Sequence, residues 1–198
     1  FVLSQSEDPK ARAIVTKLAE GAANPDLQMK AIRNLGIYGS KANRDALSSI
    51  YASAKDTQVK IAGLSSFRIA GDRDRVLQAA KSDASPEIRK SAIQMLGTMG
   101  GMQQLSEMYD AEQSPEVRLQ IVRALFVGGA APKLIAIANG EKDPKVRLQA
   151  IQQLGVMPNA STGSALQTLY AADQSVEVRK AVLRGLFIQG SAKQLVEI

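Results

Sequence analysis

The chain has 198 residues, of which 45% are hydrophobic and 4% aromatic, and its 25 Lys and Arg against 19 Asp and Glu give a net charge of +6. It contains no Cys and no His, which excludes disulfides, thiolate nucleophiles, histidine acid–base catalysis and most zinc sites. The positive charge is compatible with an acidic protein surface, a nucleic acid or an anionic membrane, and no run of the sequence approaches the roughly 20 apolar residues that cross a bilayer.

In chain order, the sequence predicts a first helix over Pro9–Gly21 and then a motif that returns along the whole chain. The motif is anchored by an apolar residue that recurs at spacings of 32, 29, 29, 29 and 32 residues, at Leu27, Val59, Ile88, Val117, Val146 and Val178. Six copies at a period of about thirty predict a repeat architecture in which neighbouring units stack on one another. Positions within a copy are counted from its anchor below.

Each copy carries the residues that begin and end a helix. At position −3 stands a side chain able to accept a hydrogen bond from the first helical turn, namely Asn24, Asp56, Ser85, Ser114, Asp143 and Ser175. At position +12 stands a glycine suited to the left-handed turn that ends a helix, namely Gly39, Gly71, Gly100, Gly129 and Gly190. The fifth copy has Pro158 there, and we expect a longer connector over residues 158–163.

Between one copy's glycine and the next copy's cap lies another helical segment. Apolar or aromatic residues recur in it four positions apart, as in Leu47 and Tyr51, which places them on one helix face. The repeat unit is therefore predicted to be an antiparallel helix pair, for example Asp45–Lys55 followed by Thr57–Ala70.

The predicted fold is an all-α α-solenoid of about six antiparallel helix pairs, forming a single repeat domain over residues 1–198. A further pair begins at Ser191–Ile198 without its second helix, and the chain starts at Phe1 without a Met or a signal peptide. We therefore expect the chain to be a fragment of a longer protein.

The second helix of the pair carries a recognisable pattern. Asp143–Gly155 follows the pattern Asp-Pro-x-Val-Arg-x-x-Ala-x-x-x-Leu-Gly, which resembles a HEAT repeat, and Ser85–Gly97 and Asn24–Gly36 are the next best matches to it. The short period is similar to that of the HEAT-like repeats named after phycobilisome lyases. This resemblance implies a superhelix whose second helices line the concave face. It implies no single function, because the family spans scaffolds, chromophore lyases and nucleic-acid enzymes.

At about 100° per residue, positions 0, +4 and +8 of the second helix fall on one side and are predicted to form the core, from Leu27 in the first copy to Leu186 in the last. Position +1, at the edge of this arc, forms a ladder of polar residues: Gln28, Lys60, Arg89, Arg118, Arg147 and Arg179. Because buried cations are usually paired, we favour a structural role between repeats over a phosphate-binding stripe.

The opposite arc of the second helix is predicted to bind the partner. Together with the resemblance, it predicts a groove along Arg33, Lys90, Gln94, Leu119, Arg123, Phe126, Leu148, Gln152, Lys180, Arg184 and Phe187. Two of these, Phe126 and Phe187, are aromatic residues at position +9, on the side predicted to face solvent. One interpretation is that they form a contact patch with the arginines. The alternative is that each of them packs over its own helix end or against the next helix.

The leading hypothesis is a noncatalytic scaffold that binds a protein or peptide, because the chain offers a long groove and no catalytic constellation. The alternatives are a nucleic-acid-binding solenoid and, less favoured, a bilin-lyase-like protein with a chromophore in the groove. No catalytic residue, metal site or cofactor is predicted. The compartment stays open, because a chain without Cys suits the cytosol and an oxidising environment equally.

Overall fold

The computed structural model describes residues 6, 8–21, 24–157 and 160–198, and the regular elements in those residues are all α-helices. Thirteen helices are seen there: α1 Pro9–Glu20, α2 Pro25–Ile37, α3 Lys41–Ser53, α4 Thr57–Ile69, α5 Arg73–Ser82, α6 Pro86–Thr98, α7 Met102–Ala111, α8 Pro115–Val127, α9 Ala131–Gly140, α10 Pro144–Gly155, α11 Ala160–Ala172, α12 Val176–Ile188 and α13 Ala192–Glu197. They form the predicted antiparallel pairs, with the even-numbered helices as second helices.

The helices group into two compact units, Phe1–Met99 and Gly100–Ile198. In the first unit, α4 packs against the second helices α2 and α6 and against its own first helix α3. In the second unit, α10 packs in the same way against α8, α12 and α9. Each unit is thus an α-solenoid stack with one row of first helices and one row of second helices. A single repeat domain over residues 1–198 stays a prediction.

The helix boundaries largely follow the predicted caps. The side chains of Asn24, Asp56, Ser85, Asp143 and Ser175 accept hydrogen bonds from the first turn of their helices. The prediction is wrong in detail for the fourth copy, because the hydroxyl of its cap serine, Ser114, donates instead to the carboxylate two residues further on.

Four of the five predicted glycines, among them Gly71 and Gly129, have φ between 68° and 77° and end their helices in the left-handed conformation. Gly39 is the exception, since its φ lies outside the left-handed region. At that turn the carbonyl of Tyr38 accepts hydrogen bonds from the Ser40 N–H and the Asn43 amide. The turn is therefore closed without a left-handed residue.

The predicted connector in the fifth copy is wrong where it can be tested. Pro158 and Asn159 lie outside the described residues, but residues 160–163 belong to α11. The helices α3 and α11 have 13 residues each, whereas α5, α7 and α9 have 10. The two spacings of 32 therefore reflect about one additional helical turn, which keeps the buried face of the first helix in register.

The core follows the predicted positions with two exceptions. Leu27 is 47% exposed and Val117 is half-buried, whereas every other residue at positions 0, +4 and +8 is buried. In the described chain no second helix precedes α2 to cover its anchor. Position +5 adds a row that the sequence did not predict and that is buried in five copies, at Ile32, Leu64, Ile93, Val122 and Ile151, whereas Leu183 of the sixth copy is 37% exposed.

Candidate functional site

The ladder at position +1 joins consecutive repeats within each unit. Lys60 Nζ lies 2.8 Å from Asp83 Oδ2, and Arg118 Nη1 lies 3.0 Å from Glu141 Oε2. Arg147 pairs in the same way with Asp173. In each case the carboxylate stands in the loop before the next second helix.

The other ladder residues bind backbone carbonyls near the end of their own first helix. Gln28 Nε2 donates to the Ala19 carbonyl at 3.1 Å, Arg89 Nη1 donates to the Asp83 carbonyl at 2.6 Å, and Arg179 Nε donates to the Asp173 carbonyl at 2.8 Å. Each of the six side chains is therefore held by a protein acceptor. This confirms the structural interpretation of the ladder.

A tyrosine completes two of these contacts. Tyr51 Oη donates to Asp83 Oδ2 at 2.6 Å, and Lys60 Nζ lies 5.3 Å from the centre of the tyrosine ring. In the second unit, Tyr109 donates to Glu141 in the same way, with the Arg118 guanidinium 5.2 Å from its ring. Both tyrosines of the first helices therefore contribute to packing between repeats.

These contacts fix the protonation of the clusters. Burial and then the hydrogen bond to Asp83 raise the pKa of Tyr51 well above its ordinary value. Burial alone would raise the pKa of Asp83, but the hydrogen bonds from Lys60 and Tyr51 outweigh it and lower the pKa. The pKa values of Tyr109 and Glu141 move in the same directions for the same reasons. The phenols thus stay protonated and the carboxylates ionised at neutral pH.

Two absences concern the residues that the structure describes. No group of three or more Asp or Glu side chains comes together there in a way that could hold a metal ion. No helix in that part of the chain is long and apolar enough to span a membrane.

The predicted partner-binding residues divide between the two units. Arg33, Lys90 and Gln94 lie on α2 and α6 of the first unit and are exposed. The exposed members in the second unit are Arg123, Gln152, Lys180, Arg184 and Phe187, and the half-buried ones are Leu119, Phe126 and Leu148. That these residues bind a partner stays a prediction.

Four of the predicted residues meet in one groove between α10 and α12. The groove has a volume of about 540 Å³, and Leu148, Gln152, Lys180 and Arg184 line it. Val156 and Ile188, which are not among the predicted residues, line it as well.

Position +9 faces solvent in only some copies, because Arg68 and Phe187 are exposed whereas the three glycines at this position are buried. A Cβ at Gly36 would lie 2.7 Å from the Ser66 carbonyl oxygen, and one at Gly155 would lie 2.7 Å from Gly185 Cα. At these glycines the position therefore points towards the next second helix. Phe126 is half-buried accordingly, which favours packing over a surface patch, whereas Phe187 is 76% exposed.

An exposed apolar row lies at position +10 and was missed. Its members are between 39% and 58% exposed: Ile37, Ile69, Val127, Val156 and Ile188. The third copy has Thr98 at this position instead. The repeated spacing was visible in the sequence, but position +10 falls close to the predicted helix end, where a helical-wheel angle says little about exposure.

The comparisons with known proteins give no family. No family model matches the sequence, and no curated protein matches it. Among solved structures 14 chains match. One is the complex of CpcE and CpcF of phycocyanin lyase from Nostoc sp. PCC7120, with 17% identity, a TM-score of 0.40, and coverage of 96% of this chain and 80% of that chain. At these values the likeness carries no argument about function, and the helix-pair fold rests on the packing described above.

The exposed cations of the second helices differ from those of the ladder. Within the described residues, Arg123, Lys180 and Arg184 form no ion pair within 4.0 Å. Lys180 lies close enough to Glu177 to help lower the pKa of that exposed carboxyl, after hydrogen bonds from the Glu177 N–H and the Ser175 hydroxyl. The exposed face of α10 and α12 thus combines apolar side chains with cations that form no ion pair in the described chain.

Proposed function

We propose that the chain is a noncatalytic scaffold of HEAT-like repeats that binds a protein or peptide on the exposed face of its second helices. The observation that carries the proposal is the groove between α10 and α12. Its lining combines the apolar side chains Leu148, Val156 and Ile188 with Lys180 and Arg184. Apolar contacts next to unpaired arginine are typical of protein-interface hot spots.

The clusters with shifted pKa values support a noncatalytic role. Groups with shifted pKa values are the usual candidates for acid–base catalysis. In Tyr51–Asp83 and Tyr109–Glu141, however, the shifts hold the tyrosine protonated and the carboxylate ionised, and both groups are engaged with a Lys or Arg. Neither group has a pKa near neutrality, which efficient proton transfer requires.

A protein partner fits the face better than a nucleic acid does. Most of the regularly spaced cations belong to the ladder, and those bind carboxylates, carbonyls and tyrosine rings of this chain. The exposed row at position +10 is apolar in five of six copies. A phosphate-binding surface depends instead on many available cations.

The proposal can be tested by selecting peptides from a random display library on the full chain, with an unrelated helical repeat protein as the counter-selection target. We expect enriched peptides that bind the chain and lose binding to the double variant Gln152→Ala/Arg184→Glu. The matched control is Lys142→Glu, at an exposed position in the loop before α10. Failure to enrich any peptide, or equal binding to the double variant and the wild type, would overturn the proposal.

A further inference from the structure

Two rows of side chains run across the second helices of the second unit. Position +6 supplies Arg123 of α8, Gln152 of α10 and Arg184 of α12, all exposed. Position +10 supplies an apolar residue on each of the same helices, and Val127, Val156 and Ile188 are 58%, 44% and 52% exposed. Residues four apart share a helix face, so each helix presents one member of each row side by side. We call these six residues the two-row face.

The charge on and beside this face is mainly positive, because the groove lining holds Lys180 and Arg184 against one carboxylate, that of Glu177. The exposed Lys180 lies four residues before Arg184, and both line the groove between α10 and α12. The helix α10 contains no acidic residue, and the acidic residues of α8 and α12 are Glu116 and Glu177 in their first turns. Position +10 lies at the C-terminal ends of these helices, and those ends carry no carboxylate that could neutralise Arg123 or Arg184. A partner that covers this face gains most if it is acidic.

The spacing of the rows limits the shape of the partner. Packed helices lie about 8–10 Å apart. A polyproline II segment rises about 3.1 Å per residue with three residues per turn, so every third side chain returns to the same side after about 9 Å. An apolar residue at every third position can therefore meet Val127, Val156 and Ile188 in turn, while acidic residues between them reach towards position +6.

We propose that the two-row face binds an acidic, extended peptide segment with an apolar residue at every third position. The apolar residues contact the row at position +10, and the carboxylates pair with Arg123, Lys180 and Arg184. This inference rests on the proposed scaffold function and specifies the chemical class of its partner.

The test measures the fluorescence anisotropy of a labelled peptide of four Val-Asp-Pro triplets against the full chain. Two control peptides are matched to it: one of the same composition with its four Val residues contiguous, and one with Lys in place of Asp. We expect the triplet peptide to bind about tenfold more tightly than either control, with an affinity that falls as salt increases. Equal binding of all three peptides, or tighter binding of the Lys peptide, would overturn the inference.

Variants of the chain locate the binding. Val156→Ser/Ile188→Ser and Arg123→Glu/Arg184→Glu should each weaken binding of the triplet peptide at least about tenfold. The controls are Val196→Ser, at an apolar position that is 88% exposed on α13, and Lys142→Glu. All four positions altered in the test variants are exposed, so unchanged circular dichroism and melting temperature should accompany the loss. Equal loss in the controls would contradict the assignment of this face.

The two proposals fail separately. If the triplet peptide does not bind, while library-selected peptides bind and are lost in Gln152→Ala/Arg184→Glu, the scaffold function stands and the acidic-segment inference falls. If no library peptide is enriched and the triplet peptide binds the wild type and the variants of the two-row face equally, the scaffold function falls and the acidic-segment inference falls with it. If neither binds, both fall.

Discussion

Gly155 of α10 and Gly185 of α12 meet backbone to backbone. A Cβ built on either glycine would lie 2.7 Å from the Cα of the other, a distance that side-chain carbon atoms do not tolerate. Gly185 also lines the groove between the two helices. The contact therefore fixes how closely these second helices approach, and with it the width of the groove.

Gly155→Ala should destabilise the chain by about 1–3 kcal/mol, because the backbone it meets cannot move aside as a flexible side chain would. The matched control is Gly140→Ala at the end of α9, where an added Cβ meets nothing within 4 Å. That control should be neutral or stabilise by up to about 1 kcal/mol. Urea denaturation measures both, and an equal effect of the two substitutions would show that the close approach is not sterically limiting.

Two arginines of α8 should differ sharply in their effect on stability. Arg118 pairs with Glu141, whose side chain is 4% exposed, and lies over the Tyr109 ring, whereas Arg123 is exposed and forms no ion pair in the described chain. Arg118→Ala should cost about 2–3 kcal/mol, since it leaves a buried carboxylate without its cation. Arg123→Ala should change the free energy of unfolding by less than about 0.5 kcal/mol.

Denaturation of the two variants under identical conditions provides the measurement. A similar loss in both would mean that the ladder contributes no more than the exposed cations do. The structural interpretation of the ladder would then be wrong.

The tyrosine–carboxylate contact should be energetically coupled. Tyr51→Phe removes only the hydroxyl that donates to Asp83. Asp83→Asn removes the negative charge that pairs with Lys60. A double-mutant cycle of these substitutions should give a coupling energy of about 0.5–2 kcal/mol. Additive effects would indicate that the 2.6 Å contact between the phenol and the carboxylate contributes nothing to stability.

Stability should decline in acid through the loop carboxylates. The folded-state pKa values of Asp83, Glu141 and Asp173 are all lowered. Their contribution is therefore fully present above the unfolded-state values near 4, and it is lost as the pH falls through that value towards the folded-state pKa. The melting temperature should be level between about pH 7 and 5 and should fall below about pH 4.

The double variant Asp83→Asn/Glu141→Gln should melt lower at neutral pH and lose less on acidification than the wild type. Melting curves recorded across this pH range measure both effects. An acid-induced decrease of the same size in the two proteins would place the relevant carboxylates elsewhere.

The sequence predicted the repeat, the helix pairs and most helix ends because those signals are local. Asp143 caps its helix and Gly129 ends one whatever the neighbouring repeats do. The exceptions do not follow from the residue type: Ser114 and Ser175 both donate to the carboxylate two residues further on, yet only Ser175 also caps its helix, and the turn at Gly39 is closed by Asn43. The added residues in the fifth copy extend α11, which the sequence could not separate from a longer loop.

The binding face was harder to predict, because a helical-wheel angle describes a side chain relative to its own helix and not to the next one. Position +9 looked solvent-facing, yet Gly155 lies against a neighbouring backbone. The exposed row at position +10, with Val156 and Ile188, lies close to the helix ends, where a helical-wheel angle says little about exposure. The ladder was interpreted correctly because a cation beside an apolar arc needs an acceptor wherever the neighbouring helix lies.

The central claim, that the exposed face of the second helices binds the partner, is tested most directly by photo-crosslinking. A library-selected peptide carrying a photoreactive side chain would be bound to the full chain and irradiated, and the cross-linked residues would be identified by mass spectrometry. The account predicts cross-links concentrated on α10 and α12 around Gln152, Val156 and Ile188. Cross-links confined to the first helices α7, α9 and α11 would contradict it.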